Sequence, residues 1–137
     1  MLEELGLAYT VHKVDLQAGE QKSEEYLRIN PVGKVPAIVD YEARPGGVTV
    51  FESGAILCYL ADTKDPDHKL LPVEAAARGE VLSWVFLQTS GVVPTVQHTV
   101  APLMFGTPST KEELDRDLAE LRKFLTILDR QASSTHL

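Results

Sequence analysis

The chain has 137 residues, of which 44% are hydrophobic and 24% are charged, so it is long enough for one globular domain or one and a half. Its net charge of −7 argues against a nucleic acid or an anionic membrane as the main partner. A single cysteine, Cys58, excludes an internal disulfide framework, and no apolar run reaches the roughly 18 residues of a membrane span. With no signal-peptide pattern at the N-terminus, these features predict a soluble protein of the cytoplasm.

The first half of the chain alternates strand and helix patterns. Residues 8–16, "AYTVHKVDL", alternate apolar and polar side chains, which predicts a strand. After a polar loop, Ser23 and the acidic residues that follow it in the sequence predict a short helix from Ser23 to Ile29. Asn30-Pro31 is expected to end this helix, because a residue before proline avoids helical angles.

A hairpin and a second helix are predicted next. The β-rich runs "VPAIVDY" and "VTVFE" flank "EARPGG", a turn of hairpin length, so the two runs are expected to pair antiparallel. Ser53 is expected to cap a helix that continues to about Asp62. Residues 64–72 contain two prolines and mostly polar side chains, which indicates a linker between a first domain, residues 1–63, and a second domain, residues 73–137.

The second half of the chain is predicted to be helical. One helix is expected from about Val73 to Val100, with Pro94 kinking or interrupting it. After the loop "FGTPST", Thr110 and Glu113 have the spacing of a capping box, in which each side chain satisfies a backbone N–H of the other. The last helix carries a stripe of leucines that is expected to face other helices: Leu114, Leu118, Leu121, Leu125 and Leu128.

The turn "FESG" combines features of a binding site for an α-amino acid head group. The N-terminus of a helix presents unpaired N–H groups, and Gly54 leaves room for close approach, so this turn suits a carboxylate. Glu52 adds a carboxylate that would match an ammonium group on the same carbon of a ligand. Taken alone, Glu52-Ser53 is equally consistent with an ordinary serine cap.

The dipeptide Val35-Pro36 indicates a second binding feature. Proline forces Val35 into an extended conformation and cannot itself donate a ladder hydrogen bond. Val35 can therefore offer its own N–H and C=O groups to a peptide that lies alongside as an added strand. Taken alone, the dipeptide favours the alternative that Pro36 simply begins a strand, where strand prolines usually stand.

In this order and spacing, the motifs make the sequence resemble a glutathione S-transferase, closest to the branch of Nu-class and Ure2-like proteins. The resemblance runs through "VDLQAGEQKSEEYLRINPVGKVPAIVD" and "FESGAILCYLAD" and onward into "LLP" and "LSWVFLQTSGVVPTV". It implies an α/β plus all-α fold, with a thioredoxin-like N-terminal domain followed by a helical domain. It also implies that the peptide bond before Pro36 is cis.

The resemblance assigns glutathione, a cosubstrate, to particular residues. It implies that Glu52 and Ser53 bind the γ-glutamyl end and that Val35, presented by Pro36, binds the cysteinyl main chain. Gln21 and Lys34 correspond to polar or basic groups near the other end of the tripeptide, where Lys34 would meet the glycine carboxylate. For Lys22, a role as a neighbour of the ligand and a role as an ordinary solvated lysine are equally expected.

The resemblance implies that the sequence is shortened at both ends relative to the family pattern. The resemblance implies that the first strand and most of the first helix are missing, with the Tyr, Ser, Cys or Thr that acts on the glutathione sulfur, so no catalytic residue is assigned. The helical domain is also expected to be incomplete. A chain lacking a central strand is expected to expose strand edges and apolar surface and to associate.

Two classes of function follow from the resemblance. In the first, the intact protein is a homodimeric enzyme that conjugates glutathione to electrophiles or uses it to reduce disulfides or peroxides. In the second, it is a binding or regulatory module with reduced chemistry, similar to Ure2-like regulators or elongation-factor subunits. The second substrate is not specified, although its pocket is expected around residues 84–97 and the "HTVAPLMF" segment.

The remaining reactive side chains are interpreted as structural. Cys58 lies in "AILCYL" and is expected to pack as a small apolar residue. The four histidines, His12, His68, His98 and His136, have no metal-ligand spacing, so no metal is expected.

Overall fold

The computed structural model describes residues 1–106 and 110–134, together with the side chains of these residues except 101–105. The predictions for most of the "FGTPST" loop, for His136 and for the side chains of "APLMF" therefore fall outside the described residues. The chain divides into two compact units, Met1–Val81 and Leu82–Leu137.

The first unit contains a hairpin and two helices that follow the predicted order. Ser23 caps the first helix, because its hydroxyl oxygen accepts a hydrogen bond from the Tyr26 N–H at 3.2 Å. The elements are a short 3₁₀ turn Glu20–Lys22, helix α1 Glu24–Ile29, strand β1 Ala37–Asp40, strand β2 Val48–Phe51 and helix α2 Ser53–Lys64. β1 and β2 pair antiparallel, which confirms the predicted hairpin.

The prediction of a strand over residues 8–16 is wrong. Residues 8–15 form neither helix nor strand. Two of the apolar side chains in the alternating pattern are exposed, Tyr9 to 48% and Val11 to 77%. A strand exists only when its backbone groups pair with a neighbour. In the part of the chain that the structure describes, the sheet contains only β1 and β2, so this segment has no partner strand.

The core of the first unit lies under α2. Ile56, Leu60 and Ala61 on one side of this helix are buried, and Leu71 from the following segment is 2% exposed. On the other side, the Tyr59 hydroxyl donates to Asp40 Oδ2 at 2.9 Å, joining the end of β1 to α2. Burial alone would raise the pKa of Asp40, but hydrogen bonds from Tyr59 and from Lys64 outweigh it and lower the pKa.

An ion pair joins the end of α2 to the next helix, α3, which spans Ala75–Leu87. Both terminal nitrogens of Arg78 donate to Asp62, with each N···O distance 2.8 Å. The hydrogen bond from Arg78 lowers the pKa of Asp62 below its usual value of 3.8. Because the folded pKa is depressed, this pair stabilises the folded state above the unfolded pKa, and the stabilisation is lost as the pH falls through the folded pKa.

We therefore expect Asp62→Asn to make the stability of the folded state depend less on pH under acidic conditions. At neutral pH, thermal melts are expected to show a higher melting temperature for the original protein than for this variant. The difference is expected to disappear as the pH is lowered to about 2. Asp67→Asn is the control, because the Asp67–Lys69 pair is mostly exposed, with 65% and 76% side-chain exposure, and is expected to contribute little at any pH. A gap that persists at the lowest pH would contradict the assignment.

The second unit is helical, as predicted, and its first helix is interrupted near Pro94. α3 passes into a π-helical segment, Gln88–Val92, which is followed by α4, Val93–Phe105. Pro94 has no N–H to donate, which explains why regular hydrogen bonding fails in the turn before it. Gly91 lies in this segment against the ring of Phe124, so a Cβ there would stand 2.9 Å from the ring.

Helix α5, Lys111–Ser134, begins with the predicted capping box. The Thr110 N–H donates to Glu113 Oε2 at 2.9 Å, and the Glu113 N–H donates to the Thr110 hydroxyl oxygen at 3.2 Å. The first of these bonds lowers the pKa of Glu113.

The leucine stripe of α5 is covered along only part of its length. Leu114, Leu118 and Leu121 are half-buried, as predicted. Leu125 and Leu128 are 54% and 39% exposed, so the prediction that the whole stripe faces other helices is wrong for the second half. Within the described ranges, no helix is both long enough and apolar enough to cross a membrane.

Candidate functional site

The register of the hairpin brings the two predicted binding features to one end of the sheet. Ala37, the first residue of β1, pairs with Phe51, the last residue of β2. Val35-Pro36 comes directly before this pair and Glu52-Ser53 directly after it. Because the strands are antiparallel, the two dipeptides leave the ladder at the same end, so residues 15 or more positions apart in sequence become neighbours.

Glu52 stands at the start of α2 with its carboxylate unpaired. Its backbone has φ 67° and ψ 122°, and its side chain makes no capping hydrogen bond. Glu52 is exposed, and no ion pair joins its carboxylate to any residue that the structure describes. A positive φ is unusual for a residue other than glycine and is typical of turns held by their surroundings.

Ser53 is the first residue of α2, so the prediction that it would be the cap is wrong by one position. The Glu52 carbonyl already accepts the first helical hydrogen bond, from the Ile56 N–H at 2.9 Å, which makes Glu52 the capping position. Gly54 is buried. The free N–H groups of the first turn remain available to an anion at this end of the helix.

Val35 is an exposed residue whose backbone polar groups have no partner in the described part of the chain. The Val35–Pro36 peptide bond is cis, as the resemblance implied. Val35 is 45% exposed. Across residues 1–106 and 110–134, no hydrogen bond involves its N–H or its C=O. Both groups are therefore open to a ligand.

Two side chains that the sequence patterns did not identify hold the peptide unit before Val35. The Tyr26 hydroxyl and the Asn30 side-chain amide both donate to the Lys34 carbonyl oxygen, at 2.7 and 2.6 Å. Asn30 is 2% exposed and also accepts a hydrogen bond from the Val32 N–H at 3.0 Å. Burial raises the pKa of Tyr26 above its usual value of 10.0.

The loop that carries Gln21 packs against the loop that carries Lys34. Gly33 has φ +63°, and a Cβ there would stand 2.8 Å from the Gln21 carbonyl oxygen. Lys22 Nζ donates to the Val32 carbonyl oxygen at 3.1 Å, so this lysine links the two loops. Gln21 Oε1 is buried and lacks a hydrogen-bond partner among the described residues, whereas Lys34 is exposed and forms no ion pair with any of them.

An open cleft of about 450 Å³ lies beside this site, between α1 and the extended segment before it. None of the six predicted site residues lines it. Its lining residues are His12, Lys13, Val14, Glu20, Ser23, Glu25, Tyr26 and Ile29. The cleft contacts the site only through Tyr26, whose hydroxyl bonds to Lys34.

The structure shows no further reactive cluster in the described part of the chain. Cys58 is a free thiol, half-buried within α2. No group of three or more His, Cys, Asp or Glu side chains among the described residues is arranged to hold a metal ion.

Comparison with known proteins identifies the family. Residues 1–63 match the family model described as "Glutathione S-transferase, N-terminal domain". The chain belongs to the glutathione S-transferase family. The predicted thioredoxin-like domain followed by a helical glutathione S-transferase domain is thereby confirmed, with solved family members covering almost the whole chain.

Three relatives illustrate the match. The disulfide-bond oxidoreductase YfcG of Escherichia coli is 45% identical over 95 residues, covering 68% of this chain and 43% of the relative. Glutathione S-transferase F10 of Arabidopsis thaliana is 34% identical, covering 96% of this chain and 61% of the relative. The crystal structure of glutathione transferase URE2P6 from Phanerochaete chrysosporium, in complex with oxidized glutathione, is 32% identical with a TM-score of 0.87, covering 99% of this chain and 61% of that chain. This chain therefore spans about half the length of the relatives it matches.

Proposed function

We propose that this chain binds glutathione at the end of the hairpin. Glu52 pairs with the α-ammonium of the γ-glutamyl end, while the α2 N-terminus at Ser53 binds its α-carboxylate. Val35 pairs with the cysteinyl main chain as an added strand, and Lys34 with Gln21 binds near the glycyl carboxylate. The observation that carries the proposal is the hairpin register, which places an unpaired acid, a helix N-terminus and an unpaired backbone next to one another.

The charges of this end of the sheet match those of the ligand. Glutathione ends in an ammonium and a carboxylate on one carbon, and the site offers one unpaired carboxylate beside the positive end of a helix. Each charge-assisted hydrogen bond contributes about 1.5–3 kcal/mol. Gln21 is assigned to the other end of the tripeptide because its loop packs against Gly33, next to Lys34, and because its side-chain oxygen lacks a partner among the described residues.

We propose that the whole protein uses bound glutathione in thiol chemistry. The thiolate sulfur forms a bond to an electrophilic carbon and displaces a leaving group, or it attacks a disulfide, forms a mixed disulfide and releases the second sulfur as a thiolate. With a peroxide, the thiolate attacks one oxygen, forms a sulfenic acid and releases the other oxygen as an alkoxide that takes up a proton. A second glutathione thiol then resolves the mixed disulfide or the sulfenic acid to glutathione disulfide, releasing a thiol or water. None of the described residues is assigned the role of activating the thiol. The apolar second substrate, the homodimer and the cytoplasmic location belong to the same proposal, since glutathione keeps thiols reduced in the cytosol.

The domain boundaries are part of this proposal. We place the glutathione-binding domain at residues 1–63, a linker at residues 64–72 and the helical domain at residues 73–137. The family model ends at residue 63, which supports the first boundary.

Calorimetric titration with glutathione and its two dipeptide halves tests the proposed orientation. We expect cysteinylglycine, which lacks the γ-glutamyl group, to bind at least about tenfold more weakly than glutathione because it loses the contacts of Glu52 and of the helix N-terminus. We expect γ-glutamylcysteine, which lacks only the glycyl end, to lose less. Equal losses for the two dipeptides, or no binding of glutathione, would contradict the proposal. Binding without turnover by the whole protein would indicate the regulatory class of function.

A further inference from the structure

The Lys34–Val35 peptide unit is fixed from one side by two hydrogen bonds. The Tyr26 hydroxyl and the Asn30 amide reach the same oxygen, that of the Lys34 carbonyl, at 2.7 and 2.6 Å. These donors come from different places, since Tyr26 lies in α1 and Asn30 ends it. Two donors that converge on one acceptor from separate directions define the orientation of its C=O bond.

The orientation of that carbonyl determines the orientation of the Val35 N–H. A peptide unit is planar, and when it is trans its C=O and N–H bonds point in opposite directions. The cis bond in this segment is the next one, between Val35 and Pro36, so the Lys34–Val35 unit is trans. With the Lys34 carbonyl held toward α1, the Val35 N–H points away from α1, and it has no partner among the described residues.

We propose that Asn30 and Tyr26 are positioning residues for the glutathione main chain, which they influence through the Lys34–Val35 peptide plane without touching the ligand. This inference rests on the proposed function. It gives the buried Asn30 a role beyond ending a helix. Hydrogen bonds to a carbonyl also polarise the peptide, so the same two contacts strengthen the opposite N–H as a donor.

The geometry of Asn30 explains why an asparagine suits this position. Its Oδ1 accepts from the Val32 N–H while its Nδ2 donates to the Lys34 carbonyl, so one side chain spans the turn 30–34. Ionised aspartate has nearly the same shape and keeps the acceptor but lacks the donor. Asn30→Asp therefore removes one of the two bonds that hold the peptide plane and leaves the other contact of the side chain in place.

Two isosteric variants test this inference. In Tyr26→Phe and Asn30→Asp, the glutathione dissociation constant measured by calorimetry is expected to rise about three- to tenfold. Tyr59→Phe is the matched control, because it removes a tyrosine hydroxyl bonded at 2.9 Å to Asp40 elsewhere in the same unit. We expect this control to lower the melting temperature but to leave the dissociation constant within about twofold of the original.

A direct measurement of the peptide plane separates this inference from the proposed function. The residual dipolar coupling of the Val35 N–H, recorded without ligand, is expected to change in Tyr26→Phe and Asn30→Asp and to stay unchanged in Tyr59→Phe. If the chain does not bind glutathione, the proposed function fails, and the coupling still reports on the plane. If glutathione binds but both variants keep the original affinity and coupling, the positioning role is overturned. Should the buried charge of Asn30→Asp prevent folding, Tyr26→Phe alone decides.

Discussion

Glu52→Gln is expected to weaken glutathione binding by about 10- to 150-fold, which corresponds to the loss of one charge-assisted hydrogen bond of about 1.5–3 kcal/mol. The glutamine keeps the size of the side chain and one of its two oxygens, so the change removes the negative charge and replaces the other oxygen with an amide NH2 group. The Glu52 side chain makes no capping hydrogen bond to α2, so we expect only a small fall in the melting temperature, from the loss of a negative charge at the helix N-terminus. Calorimetric titration and thermal denaturation of the same samples measure both quantities.

A ligand that lacks the α-amino group turns this comparison into a double-mutant cycle. If Glu52 pairs with the ammonium, the deaminated analogue of glutathione is expected to bind the original chain and Glu52→Gln with the same affinity. Glu80→Gln is the matched control, since Glu80 is an exposed acid on α3. An unchanged affinity of Glu52→Gln for glutathione, or an equal loss with the deaminated analogue, would show that this carboxylate does not recognise the ammonium.

The predicted site depends on hairpin register, which is the part of the fold that the sequence specifies most directly. The "EARPGG" turn and its two β-rich flanks define an antiparallel pair, and pairing Ala37 with Phe51 then places Val35 and Glu52 at one end. The helix cap is Glu52 and not Ser53 as predicted, but this does not alter the result, because both residues directly follow β2. Local sequence patterns are therefore sufficient to predict that the proposed binding groups lie at one end of the hairpin.

The features that the sequence patterns do not predict depend on contacts between different elements of the fold. The 8–16 segment has the pattern of a strand, but a ladder needs a second strand, and no pattern within the segment can supply one. The proline after Asn30 correctly predicts the end of the helix but does not explain the Asn30 side chain. Its bond to Lys34, shared with Tyr26, follows from how α1 lies against the next turn. The exposure of Leu125 is likewise set by which helices surround α5, not by the period of the leucines.

Gly33 lies between the loops that carry two of the proposed binding residues, Gln21 and Lys34. Its φ of +63° lies in the left-handed region, and a Cβ there would come within 2.8 Å of the Gln21 carbonyl oxygen and of Lys22 Nζ. The lysine side chain is flexible and can move, but the backbone carbonyl cannot do so without shifting the Glu20–Lys22 turn. The Gly33 N–H also donates to the Asn30 carbonyl oxygen at 2.9 Å, so a shift at Gly33 is transmitted to the turn that carries Lys34.

We expect Gly33→Ala to lower the free energy of unfolding by about 2–5 kcal/mol, as the sum of about 1–2 kcal/mol for the left-handed backbone and about 1–3 kcal/mol for overpacking. Gly46→Ala isolates the first of these costs, because Gly46 has φ +85° and no atom within 4 Å of a Cβ position. Urea denaturation of the two variants compares their free energies of unfolding directly.

Without denaturant, where Gly33→Ala remains folded, we also expect this variant to bind glutathione more weakly. Gly46→Ala, in the hairpin turn at the opposite end of the strands, is expected to keep its affinity. Equal destabilisation of the two variants would show that the loops relax around the added methyl group, and the contact between the Gln21 and Lys34 loops would then not be what fixes this side of the site.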